Sequence, residues 1–105
     1  MMPSRLLITP GKAPDHQTRV RLVIQHPMET GFRFDLHGRA ITKNVIHTLR
    51  AQYDGVLAFE ATLGSGISAD PYLEFFVHTP KPGELVINWV DDAGETGSAA
   101  KTIGA

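Results

Sequence analysis

Residues 45–63 read VIHTLRAQYDGVLAFEATL, two runs of alternating apolar and polar residues on either side of Asp54-Gly55. A type I′ turn needs positive φ at both central positions, so Asp-Gly between alternating runs is the strongest short hairpin signal a sequence offers. Val45, Leu49 and Ala51 share one face of the first run, and Leu57, Phe59, Ala61 and Leu63 share one face of the second. The pattern predicts an antiparallel pair with one side turned to a core.

The same reading extends in both directions. Downstream, GSGISADP at 64–71 cannot continue a strand, and Asp70 before a proline is pushed to an extended or turn conformation. Residues 72–78 resume the alternation with Leu73, Phe75 and Val77 inward, and 85–91 follow with Leu85, Ile87 and Trp89 aligned. A turn at 92–94 leads to a weaker last strand at 95–102. Upstream, Val20, Leu22 and Ile24 line one side of a strand at 19–25, and a turn is expected around Gly38. Pro3, Pro10, Gly11 and Pro14 make residues 1–18 read as a poorly ordered arm, leaving 19–105 as the folded domain. Six to seven short strands with turn signals every ~8–12 residues, and no helical period, predict an all-β, immunoglobulin-like β-sandwich.

Composition limits what such a sandwich can do. Its 105 residues suffice for one core, and 42% hydrophobic against 20% charged residues is the balance of a folded chain. A net charge of −1 gives no basic face for nucleic acid. With no cysteine, the chain holds no disulfide, thiolate metal site or covalent thiol intermediate of its own. The first residues lack the run of ~7–15 apolar residues of a secretory signal, and nothing reaches the ~18 of a membrane span. The expectation is a soluble chain that does not direct its own export.

Functional groups crowd into residues 25–33, QHPMETGFR. Pro27 and Gly31 end regular pairing there, while His26, Met28, Glu29, Phe32 and Arg33 supply an imidazole, a thioether, a carboxylate, an aromatic and a guanidinium. The simplest account is a shaped connection between strands. As a functional site the segment suits a partner-docking surface, because methionine, aromatics and arginine are enriched at interface cores. A second possibility is an enzyme using His26, Glu29 and Arg33 as base, acid and clamp on a sulfur oxyanion. A third is an adhesion-type sandwich, which the missing disulfides weaken. The five histidines show no ligand spacing, so no metal is expected. Asp91, Asp92 and Glu95 read as solvated turn acids, and Ser65 and Ser68 lie in no nucleophile elbow.

Taken together, HPMETGFR from His26 to Arg33, Asp35 and Gly38, the Asp54-Gly55 turn, GSGIS with Pro71-Tyr72, and WVDDAGE at 89–95 resemble the Z subunit of the sulfur-oxidation (Sox) carrier complex SoxYZ. The resemblance covers nearly everything after Thr18. It implies an immunoglobulin-like subunit without catalytic residues or cofactor, paired with a Y subunit whose mobile C-terminal arm carries sulfur on a cysteine. It also implies transient contact with other Sox enzymes and a periplasmic location reached by co-export with the signal-bearing partner. The family's asparagine before Pro-Tyr is Asp70 here, which puts any hydrogen-bond role of that position in doubt. An unpaired edge strand leaves a homodimer of the isolated chain open as well.

Overall fold

The computed structural model describes residues 2–104. Seven strands form in chain order: β1 (Ser4–Thr9), β2 (Gln17–Ile24), β3 (Ile46–Tyr53), β4 (Val56–Thr62), β5 (Tyr72–His78), β6 (Gly83–Asp91) and β7 (Thr96–Ile103). They make two antiparallel sheets, β1-β2-β5 and β4-β3-β6-β7, so the fold is a β-sandwich.

Alternation explains which residues fill the space between the sheets. Val20, Leu22 and Ile24 of β2, Leu49 and Ala51 of β3, Phe75 and Val77 of β5, and Leu85, Ile87 and Trp89 of β6 are all buried. Phe59 of β4 stacks on Phe75 of β5 with ring centroids 4.2 Å apart, tying the two sheets at one side. Trp89 faces Gly97 across the β6–β7 ladder, and a Cβ at Gly97 would sit 2.3 Å from the indole Nε1. Only glycine leaves room for the ring there. Asp54 and Gly55 both take positive φ, 52° and 83°, as the β3–β4 turn requires.

Two expectations need correction. Of residues 1–18, Met1 lies outside the described residues, but the segment is no loose arm: Ser4–Thr9 pairs in full register with Arg19–Ile24 as an edge strand, and Met2 is buried. Leu6 and Ile8 pack against the core from that strand, an apolar contribution that the surrounding prolines obscured. Leu57 does not share the inward face of Phe59 and Ala61. Phe59 pairs with Ala51 and Leu57 with Gln52, so Ala58 is an extra residue in β4. This bulge turns Leu57 to the solvent side, where it is exposed.

Candidate functional site

β2 carries its inward row one step past its last strand residue. Ile24 points into the core, and His26, two residues on, is also buried, at 4% exposure. β6 does the same: after Leu85, Ile87 and Trp89, Asp91 falls inward and is buried. The two polar ends meet. His26 Nε2 lies 3.0 Å from Asp91 Oδ2, and His26 Nδ1 accepts the Met28 backbone N–H at 2.9 Å. Because Nδ1 is an acceptor, the ring proton is on Nε2, which donates to the carboxylate.

Asp91 is not the solvated turn acid the sequence suggested, because the period-two row of β6 carries it into the core. Its Oδ1 accepts the Glu95 N–H at 2.9 Å. Burial pushes its carboxyl up, but hydrogen bonds from His26, the Glu95 backbone and Asn44 outweigh that and hold it below its ordinary value.

Met28 is 4% exposed and takes positive φ, 49°. Its thioether accepts the Ile46 N–H at 3.3 Å, satisfying a donor at the start of β3. Asp70, also at positive φ, accepts the His26 N–H on Oδ1 at 3.0 Å and donates its own N–H to His26 C=O at 2.7 Å. The doubt over an aspartate at this position is thereby resolved. The side chain acts through one acceptor oxygen, which aspartate and asparagine both possess.

From this clasp the chain runs out as a narrow two-stranded tongue. Glu29 and Asn44 exchange backbone bonds of 2.8 and 2.9 Å, Ile41 N–H reaches Arg33 C=O at 2.9 Å, and Asp35 N–H reaches Arg39 C=O at 2.8 Å. Asp35 Oδ1 closes the tip by accepting the N–H groups of His37 and Arg39, with Gly38 at positive φ. Arg33 and Glu29 form an ion pair of 2.9 Å along one side. Phe32 is 83% exposed, Phe34 67%, and Leu36 fully so, three apolar side chains at every second position with nothing over them.

The five residues proposed from sequence as a docking surface therefore separate. His26 and Met28 face the core and present nothing to a partner, because the alternation of β2 continues through them; Phe32 and Arg33 face solvent, and Glu29 lies between. The oxyanion-enzyme arrangement fails on the same ground, since both ring nitrogens of His26 are engaged internally. Sequence reasoning missed Phe34 and Leu36, although FRFDL carries the signal: a short alternating apolar run between turns. It also missed the role of Asp91, which extending the row 85-87-89 by one step reveals.

Among the described residues no group of three or more His, Cys, Asp or Glu could hold a metal ion. No helix among them is long and apolar enough to cross a membrane.

Among solved structures, two variants of superoxide reductase (neelaredoxin) from Ignicoccus hospitalis are similar, with TM-scores of 0.70 and 0.69. Each is 17% identical, and the alignment covers 96% of this chain and 77% of theirs. At that identity the likeness concerns the sandwich alone. Comparison with curated protein sequences gives no match. The family model described as sulphur oxidation protein SoxZ matches residues 8–102, from the end of β1 to the end of β7.

Proposed function

Because this chain belongs to the SoxZ family, and so has a role in the Sox sulfur-oxidation system, we propose that it is the non-catalytic half of a sulfur carrier, permanently paired with a cysteine-bearing SoxY-like subunit in the periplasm. Lacking any thiol, it leaves covalent sulfur attachment to that partner. Export follows the partner's signal.

The observation that carries this reading is the tongue at 29–44. A row of exposed Phe32, Phe34 and Leu36 has no use in an isolated soluble chain, and it stands on a base fixed by the His26–Asp91 clasp and the Glu29–Asn44 bonds. Rigid aromatic and aliphatic anchors on a fixed base are what a lasting interface places at its centre. The clasp is thus a footing for the docking surface, and Phe32 and Arg33 are the members of the sequence motif that meet the partner, joined by Phe34 and Leu36.

Co-expression with a SoxY-like chain from the same genome tests the reading. The wild-type pair is expected to co-purify through gel filtration, and Phe34→Ser with Leu36→Ser to weaken the pair at least ~100-fold, about the loss of two buried anchors. The isolated double variant should unfold at the wild-type temperature, since neither side chain is packed. Absence of a heterodimer removes the proposal, and an unimpaired double variant removes the tongue from it.

A further inference from the structure

An antiparallel sandwich usually turns polar side chains to water from its outer sheet faces. The outer face of β1-β2-β5 departs from this. In register it forms three rows of three: Arg5, Val23 and Tyr72; Leu7, Arg21 and Glu74; Thr9, Arg19 and Phe76. Leu7, Val23, Tyr72 and Phe76 are all exposed on it. Three arginines stand against one glutamate, giving a positive face on a chain whose net charge is −1.

The arginines are not equivalent. Arg19 is neutralised by Glu74, whose Oε2 it holds through Nε and Nη2 and which also accepts the Tyr72 hydroxyl at 3.3 Å. The hydrogen bond from Arg19 is the main reason the Glu74 carboxyl lies below its ordinary value. Arg21, at the centre of the grid, also acts on Glu74 through its charge, but it has no carboxylate within ion-pair distance among the described residues, and neither has Arg5. The Arg21 Nε is shut from solvent and bonds to nothing, and Nη2 reaches only Thr9 Oγ1 at a marginal 3.4 Å.

We propose that this sheet face docks a second protein through a surface of carboxylates set among apolar side chains. One partner carboxylate is received on the guanidinium of Arg21, and apolar groups pack over Leu7, Tyr72 and Phe76. An under-bonded arginine beside Leu7 and Val23, with Tyr72 and Phe76 at the diagonals, has the composition of an interface centre. Nucleic acid or an anionic membrane is a poorer fit, because stable binding to either uses on the order of 4–10 clustered cations. The proposal rests on none of the residues of the tongue at 29–44.

The test uses the full chain, isotope-labelled for amide NMR, and a synthetic peptide alternating Glu with Leu and Phe. Shifts are expected at Leu7, Arg19, Arg21, Val23 and Phe76. Affinity should fall ~10-fold for Arg21→Gln and by a smaller factor for the more peripheral Arg5→Gln, and it should weaken steadily with salt. The two variants are checked by unfolding, so that Arg5→Gln carries the test if Arg21→Gln does not fold. Equal binding of the same peptide with Gln in place of Glu would overturn the proposal. So would shifts confined to other surfaces, tighter binding of phosphatidylglycerol vesicles or duplex DNA to this face, or the same pattern produced by inorganic sulfate alone.

Discussion

His26 and Asp91 are 65 positions apart and close the core where β2 and β6 end. A buried carboxylate is tolerated only when its lone pairs are used, and here His26 and the Glu95 N–H use both oxygens. The Asp91 carboxyl in the folded chain has a pKa below its ordinary 3.8, so the unfolded chain takes up that proton first. Its stabilisation is therefore complete above that value and is lost as pH falls through the lower folded one. Asp91→Asn should be less stable at neutral pH yet lose less on acidification, and the two urea midpoints should converge as the solution becomes acidic. Parallel curves would show that Asp91 does not drive the acid limb. Met28 makes a second prediction. Leucine fills similar volume, but without sulfur the buried Ile46 N–H loses its acceptor, so Met28→Leu should cost about 1–3 kcal/mol in urea unfolding instead of a volume-conserving swap's smaller loss. A change within ~0.3 kcal/mol would mean that the thioether acts by packing alone.

At the scale of elements, β1 separates what the residues said from what the fold does. A reader of residues 1–18 sees four ring or glycine positions and infers a loose arm, because turn chemistry is local and strand pairing is not. Edge strands are also short and only half buried, so their alternation is faint: LLI in β1 shows three apolar residues in a row, of which Leu6 and Ile8 face in. Deleting residues 2–9 distinguishes the two views. As an integral strand β1 pairs along the edge of β2 and adds Leu6 and Ile8 to the core, and its loss should lower the urea midpoint by an amount equivalent to about 2–4 kcal/mol, whereas loss of a loose arm would leave it unchanged. The other strands were readable because they are longer, and because β2 and β6 in particular alternate over a buried face. The bulge at Ala58 was not, since one extra residue leaves no compositional trace.

Over the whole molecule, the chain spans 57 × 19 × 19 Å with a radius of gyration of 15.9 Å, against about 13 Å for a compact domain of this length. Small-angle scattering of dilute monomer should return roughly 16 Å; a value near 13 Å would mean that the tongue and end loops fold back. The sandwich class was legible in the hairpin at 45–63 and the alternating runs around it, because each depends on neighbours in sequence. The site was half legible: the motif at 25–33 marked the place, but which of its side chains face in depends on Asp91 at the end of β6 and Asp70 in the loop before β5, partners distant in sequence. The bulge in β4 has a consequence for the molecule in concentrated solution. β4 borders the four-stranded sheet, and a regular border strand offers the next copy a continuous ladder on which fibrils grow. Ala58 interrupts that ladder midway and increases its twist, so identical copies cannot stack along it in register.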